Sequence, residues 1–197
     1  MARRALQQLK GYQHQDGGLA IFYTGYGKGK TTAAMGVAIR AAGYGYPVKI
    51  IQFIKGEWPT GEKNFILDLQ KSNVEELGKI EFIQAGKGFV KILGDKKPII
   101  EHEDAARGGL EEAYKTMRGG KHKLLVLDEI VTAIEEKVLA EKDVLDLIDA
   151  RPKKLTLILT GHKKYPRIIA KADLVTEMKK IKHPFEKGIL AKQGIDY

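Results

Sequence analysis

The chain contains no cysteine, which excludes disulfides, thiolate metal sites and a thiol nucleophile together. Histidine is sparse as well. His14, His102, His122, His162 and His183 are too scattered to suggest a ligand pair, so any bound metal is expected to be held by oxygen. No run approaches the roughly eighteen consecutive apolar residues that a membrane span needs. The opening MARRALQQLKGYQHQ lacks the apolar centre of a signal peptide, and a cytoplasmic protein is expected. Internal repeats, low-complexity tracts and linkers are also missing. What is present, 197 residues of which 43% are hydrophobic, is enough for one domain with its own core. That domain is read over residues 19–197, after a polar, glycine-ended arm at 1–18.

Thirty-four Lys and Arg against 25 Asp and Glu leave a formal charge of +9, which raises the question of nucleic acid. The basic residues are interspersed with acids, as in EEKVLAEKD, and no stripe of Arg and aromatics is present such as single-strand binders show. The balance therefore favours a basic site for a polyphosphate over a nucleic-acid surface.

Short apolar runs punctuate the chain at 19–24 (LAIFYT), 48–54 (VKIIQFI), 80–85 (IEFIQA), 123–129 (KLLVLDE) and 155–160 (LTLILT). Runs apolar on both faces suit strands covered on both sides. Between the first two, KTTAAMGVAIRAAG predicts a helix apolar around most of its circumference and stopped by a left-handed Gly43. Ala106, Leu110, Ala113, Tyr114 and Met117 predict a second helix, weakened by Gly108 and Gly109. Asp143 to Ala150 predict a third, ended by Pro152. The alternation points to an α/β domain with a mostly parallel sheet and ligands at the strands' carboxyl ends. Residues 54–64, 84–102 and the tail from about Lys179 do not fit it and are read as the wall of a second-substrate site. Trp58, Pro59 and Phe89 are the aromatic or flat residues there that suit a large flat ligand.

The chemistry concentrates in Thr24 to Thr32, TGYGKGKTT, which follows a strand and opens a helix. Gly25, Gly27 and Gly29 let backbone N–H groups turn toward phosphate. The helix start adds partial positive charge, Lys30 a full one, and Thr31 a hydroxyl for Mg²⁺. Asp128 and Glu129 end the LLVLDE strand. Read as strand residues they point to opposite sides, one toward a metal and one toward a neighbour or water. Glu129 is equally compatible with activating water in an ATPase. Thr160, Gly161 and His162 bring a third strand end to the same edge, and His162 is a candidate substrate contact.

In this order the motifs resemble the P-loop family of ATP:corrinoid adenosyltransferases, which act on cob(I)yrinic acid a,c-diamide or cob(I)alamin. The resemblance spans about residues 19–197. It rests on TGYGKGKTTAAMGVAIRAAG, VKIIQFIKGEWPTGEKN, GF at 88–89, LLVLDEI, RPKKLTLILTG and ADLVTEMKKIKHPFEKGILAKQGIDY. The second and last of these are far more specific than the phosphate loop.

The resemblance implies a RecA-like fold with helices on both faces of the sheet, a homodimer, Mg²⁺-ATP, a corrinoid over the nucleotide and an electron-donating reductase as partner. By matching position it implies that Gly25, Tyr26, Gly27, Lys28, Gly29, Lys30, Thr31 and Thr32 bind the nucleotide. Thr31 and Glu129, with Asp128, stand at the metal, and Lys30, Thr31 and Glu129 carry catalysis. Phe89 and Lys91 fall in the corrin-facing segment and His162 at the nucleotide side. Three positions depart from the pattern: Tyr26 stands in place of Asn, Lys91 in place of Trp, and His162 in place of Arg. The competing readings are a P-loop ATPase acting on nucleic acid and a non-catalytic ATP or corrinoid sensor.

Overall fold

Every strand of the sheet ends on a polar residue, and the polar ends all lie at one edge. The computed structural model describes residues 17–56, 60–72, 74, 76–88, 90 and 96–196. Its strands are β1 Ala20–Thr24, β2 Val48–Gln52, β3 Ile80–Gln84, β4 Leu124–Asp128, β5 Thr156–Thr160 and β6 Leu174–Glu177. They form one sheet in the order β3-β2-β4-β5-β1-β6, with every pairing parallel. Thr24, Gln52, Gln84, Asp128, Thr160 and Glu177 therefore share the carboxyl edge, where a parallel sheet binds its ligands.

The helices are α1 Lys30–Ala42, α2 Gly61–Ser72, α3 Ile99–Gly119, α4 Ile130–Glu135, α5 Glu141–Asp149 and α6 Pro166–Lys171, with a 3₁₀ turn at Pro184–Lys187. Alternation along the central strands builds a core on each face. Leu124, Val126, Ile50 and Ile158 pack with Ala34, Met35 and Ala38 of α1 and Ile66 of α2. Leu125, Leu127, Leu157 and Leu159 pack with Ala113 and Met117 of α3 and Val144 and Leu147 of α5. β2 and β4 are buried along their whole length, as their doubly apolar patterns require.

Several expectations change in physical detail. The sixth strand, LVTE, is a four-residue, exposed edge and offers no apolar run to read. Residues 61–64 and 99–102 are helical, not irregular. α2 buries little beyond Ile66, while Phe65 and Leu67 stay exposed, so its periodicity is faint. α1 is buried on one stripe only, through Ala34, Met35, Ala38 and Ala42, and Ile39 on its apolar circumference is exposed. Gly43 is right-handed at φ −61; the left-handed residue is Gly45, φ 75, after one further turn. α3 runs unbroken through both glycines. A Cβ on Gly109 would meet the Ala85 Cβ at 2.5 Å and the Phe53 ring at 2.8 Å, so this glycine permits close packing of the helix on the sheet edge. Lys49 interrupts the apolar face of β2. It is buried but salt-bridged to Glu81 and Glu112, each at 3.0 Å, joining β2, β3 and α3.

Candidate active site

The loop between β1 and α1 turns on two left-handed glycines, Gly25 (φ 102) and Gly29 (φ 107). A Cβ on Gly25 or Gly27 would lie 2.4 or 2.7 Å from the Met178 carbonyl oxygen, so the residue following β6 packs directly on the loop. The N–H of Gly27 donates to that carbonyl at 2.7 Å, and the N–H of Gly25 donates to the His162 carbonyl at 2.9 Å. This corrects the expectation that both amides turn toward phosphate: the scaffold uses them. The N–H groups of Lys30, Thr31 and Thr32 at the positive start of α1 lack intrahelical acceptors by geometry and are the ones directed past the helix end, whereas that of Ala33 donates to the Gly29 carbonyl at 2.8 Å.

Lys30 is buried, and its ammonium donates to the carbonyls of Gly25 at 2.7 Å and Gly27 at 2.9 Å. Burial pulls its pKa below the usual lysine value, and the charges of Glu129 and Asp128 only partly oppose this. A desolvated ammonium beside a loop of backbone dipoles is a preformed partner for an anion.

Asp128 is fully buried and saturated with donors. Thr31 Oγ1 at 2.9 Å and Thr160 Oγ1 at 2.8 Å donate to its Oδ1, and Gln52 Nε2 at 2.9 Å donates to its Oδ2. β2, β4, β5 and α1 are thereby tied at one carboxylate. Gln52 Oε1 is buried without a partner among the described residues.

Glu129 does not continue the strand. Its backbone is left-handed, φ 63 and ψ 17, as it caps α4, so strand alternation does not decide where its side chain points. This corrects the reading that the two acids face opposite sides of β4. The carboxylate accepts a short hydrogen bond from Thr132 Oγ1, and its backbone N–H donates to Thr160 Oγ1 at 2.7 Å. A left-handed non-glycine residue is uncommon and concentrates at functional sites.

A cleft of about 610 Å³ opens over these groups. Tyr26, Gly27, Lys28, Gly29, Lys30, Thr31, Thr32, Glu129 and His162 line it, so nine of the residues singled out in the sequence converge there. Gly25 and Asp128 lie beneath, reaching it through Lys30 and Thr31. The tail also reaches this cleft: His183, Gly194, Ile195 and Asp196 line it, and Asp196 forms an ion pair with Lys28. Lys55, Thr60, Gly61 and Glu62 complete the wall. Phe89, Lys91, Trp58 and Pro59 lie outside the described residues.

A second cleft of about 930 Å³ borders the end of β3 and the flank of α3, lined by Gly56, Gln84, Gly86, Lys87, Lys97 and Gly108 among others. Residues from two of the three segments read as a second-substrate wall, 54–64 and 84–102, border it, whereas the tail lines the first cleft. Gln52 and Thr132 are not among the residues the sequence singles out for the site, and Thr160 is placed at its edge without a partner. The polar ends of apolar runs are the signal that finds Gln52 and Thr160, and Thr132 stands three residues beyond Glu129 on the next helix.

Comparison with known proteins agrees with this geometry. The family model for ATP:corrinoid adenosyltransferase BtuR/CobO/CobP matches residues 16–197. A corrinoid adenosyltransferase of Escherichia coli K12 is 35% identical over 180 residues, 91% of this chain and 86% of that protein. One from Salmonella typhimurium is 36% identical over 184 residues, 93% and 87% respectively. Among solved structures, a KaiC-like protein of Pyrococcus horikoshii superposes with a TM-score of 0.56 at 20% identity, covering 84% of this chain and 75% of that one. At that identity the likeness shows the fold, a RecA-like P-loop α/β domain. With the phosphate loop, the strand-end acids and the specific tail motif all inside the matched region, the chain belongs to the ATP:corrinoid adenosyltransferase family, and it is an enzyme of that family.

Proposed function

We propose that the cleft over residues 25–32 binds the triphosphate of Mg²⁺-ATP and that the chain transfers the 5′-deoxyadenosyl group to the cobalt(I) of a corrinoid, in adenosylcobalamin biosynthesis or salvage. The observation that carries the assignment is the convergence of a buried Lys30, the start of α1, Thr31 and Glu129 around one cleft. The cobalt(I) substrate supplies its own electron pair. That pair forms the cobalt–carbon bond at the ribose 5′-carbon, the C5′–O5′ bond breaks, and tripolyphosphate leaves with its electrons. The protein therefore needs no nucleophile and contributes alignment and charge stabilisation.

Lys30 and the α1 amides would stabilise charge as it gathers on the leaving triphosphate. Binding there also offsets the burial that depresses the lysine's pKa. Lys28 would add a second cation once it exchanges Asp196 for phosphate. The oxygen-only donors Thr31 and Glu129, with Asp128 behind Thr31, fit Mg²⁺, which when bound would neutralise phosphate charge. Asp128 holds the Thr31 hydroxyl; Thr132 holds the Glu129 carboxylate. The larger cleft beside α3 is assigned to the corrinoid, and the family resemblance assigns Phe89 and Lys91 to the same substrate. A homodimer, an electron-donating reductase and a cytoplasmic location belong to the same proposal and are supported by the family resemblance. Incubation of the purified chain with Mg²⁺-ATP and chemically reduced corrinoid tests it. A light-sensitive adenosylated product is expected, and its absence under reducing conditions that keep cobalt(I) present would overturn the proposal.

A further inference from the structure

Tyr26 is conspicuous in a loop otherwise made of glycine, lysine and threonine. It is 66% exposed and lines the cleft. Its ring lies within 12° of parallel to the imidazole of His162, with centroids 5.8 Å apart, inside the range of offset aromatic stacks.

The residue beneath it, His162, is fixed mainly through its backbone. The His162 carbonyl accepts from the N–H of Gly25 at 2.9 Å and from Thr24 Oγ1 at 3.0 Å. Its own N–H meets Glu135 Oε1 at 3.2 Å, and its Nδ1 stands 3.3 Å from Thr132 Oγ1. The backbone of His162 is thus held by β1, the loop and α4, its ring is met by Thr132 of α4, and the Tyr26 ring is laid on it.

We propose that the Tyr26–His162 stack is a platform for the adenine ring, so that this chain holds ATP by the face of its base as well as by its triphosphate. The inference rests on reading residues 25–32 as the triphosphate site. Lys28, Lys30, Lys55 and the threonine hydroxyls of that cleft suit phosphate, while Glu62, Glu129 and Asp196 are its acids; Tyr26 is the one phenol ring among its described lining residues, beside the imidazoles of His162 and His183. A braced, exposed ring at the rim gives up little freedom on binding, and stacking needs only the flat face of a heterocycle. The platform also makes one unit of two positions where the sequence departs from the family pattern, Tyr26 and His162. Tyr26 is a contact residue in this assignment and His162 a positioning residue.

The test compares two ligands that differ only in the nucleoside. Calorimetric titrations of Mg²⁺-ATP and of Mg²⁺-tripolyphosphate, without corrinoid, are run on the wild type, Tyr26→Ala, Tyr26→Phe and His162→Ala. Tyr26→Ala is expected to weaken ATP on the order of ten-fold while tripolyphosphate changes by less than about two-fold. Tyr26→Phe is expected to bind both ligands like the wild type, and His162→Ala to lose ATP selectively but by less. Retained tripolyphosphate binding reports that the loop is folded. Equal losses for both ligands in Tyr26→Ala, no loss at all, or failure of Phe to substitute would overturn the platform. Adenosyl transfer is not read in this experiment. A selective loss in a chain that fails to adenosylate corrinoid would refute the reaction and leave the platform standing, whereas equal losses in a competent transferase would do the opposite.

Discussion

The two clefts at the carboxyl edge are built on different parts of the sheet. The phosphate cleft stands on the ends of β1, β4 and β5, whose residues are almost all buried, and Asp128 at the end of β4 locks Thr160 of β5, Gln52 of β2 and Thr31 of α1 together. The larger cleft stands on β3, an edge strand of half-buried residues, and on backbone packing in which glycines replace side chains: a Cβ on Gly56 would lie 2.8 Å from the N of Gly88, and one on Gly86 2.4 Å from the carbonyl carbon of Ile54. Central strands fix polar groups to within hydrogen-bond tolerance, which suits the geometric demands of a leaving triphosphate. A glycine-lined edge leaves volume for a bulky substrate that brings its own reactivity.

The contrast can be broken first at Lys30. Lys30→Ala is expected to lower kcat/KM on the order of 10²–10³-fold, because it removes a desolvated charge from the leaving group. Its thermal midpoint should not fall, since the folded protein holds this lysine with a lowered pKa, a sign that burial of the charge works against folding. A kinetic loss accompanied by a comparable fall in stability would mean that Lys30 is a structural residue.

The edge side is expected to respond in the reverse manner, through stability. Gly109→Val would drive side-chain atoms into Ala85 and Phe53 and should destabilise by about 1–3 kcal/mol. At the adjacent Gly108 a Cβ meets nothing within 4 Å, and Gly108→Ala should stabilise by about 0.5–1 kcal/mol through helix propensity. Urea melts of the two variants decide it. If both change stability in the same direction, the close approach of α3 to the sheet edge is wrong.

The smallest effect sharpens the contrast at Lys49. Burial lowers its pKa, but hydrogen bonds and charge from Glu81 and Glu112 outweigh this and raise it. Its hydrogen bond is the main cause that lowers both glutamates below 4.5. The lysine's stabilisation is therefore present below its ordinary value of 10.5 and lost as pH rises through its raised folded value. The glutamates' share is present above 4.5 and lost as pH falls through their lowered values. Lys49→Met should lower the melting temperature at pH 7 by roughly 2–4 °C, the effect of about 1 kcal/mol for partly exposed partners. It should also flatten the acid loss of stability, and an unchanged acid profile would contradict the network.

How far each region can be read from sequence follows the same division. β1, β2, β4 and β5 are doubly apolar and bounded by turn residues, so both the strands and the loop at Gly25 to Thr32 stand out. The polar residues closing those runs announce the site, although not how they pair: nothing in the order of residues says that Thr31, Thr160 and Gln52 meet on Asp128, because the contacts join positions up to 97 apart. Glu129 shows the limit of the strand period, which fails where the chain turns left-handed into α4. β6 and α2 are nearly silent because exposed edges and narrow buried stripes carry little hydrophobic pattern. Gly109 reads as a helix breaker until Phe53 and Ala85 are seen against it.

The central claim concerns which bond of ATP breaks, and a single-turnover reaction followed by phosphorus NMR addresses it directly. With Mg²⁺-ATP, reduced corrinoid and enzyme in equal amounts, intact tripolyphosphate should appear in step with the adenosylated corrinoid and ahead of any other phosphorus product. ADP and orthophosphate in stoichiometric yield, with or without corrinoid, would mean that Glu129 activates water at the γ-phosphate and would contradict the assignment of this cleft to adenosyl transfer.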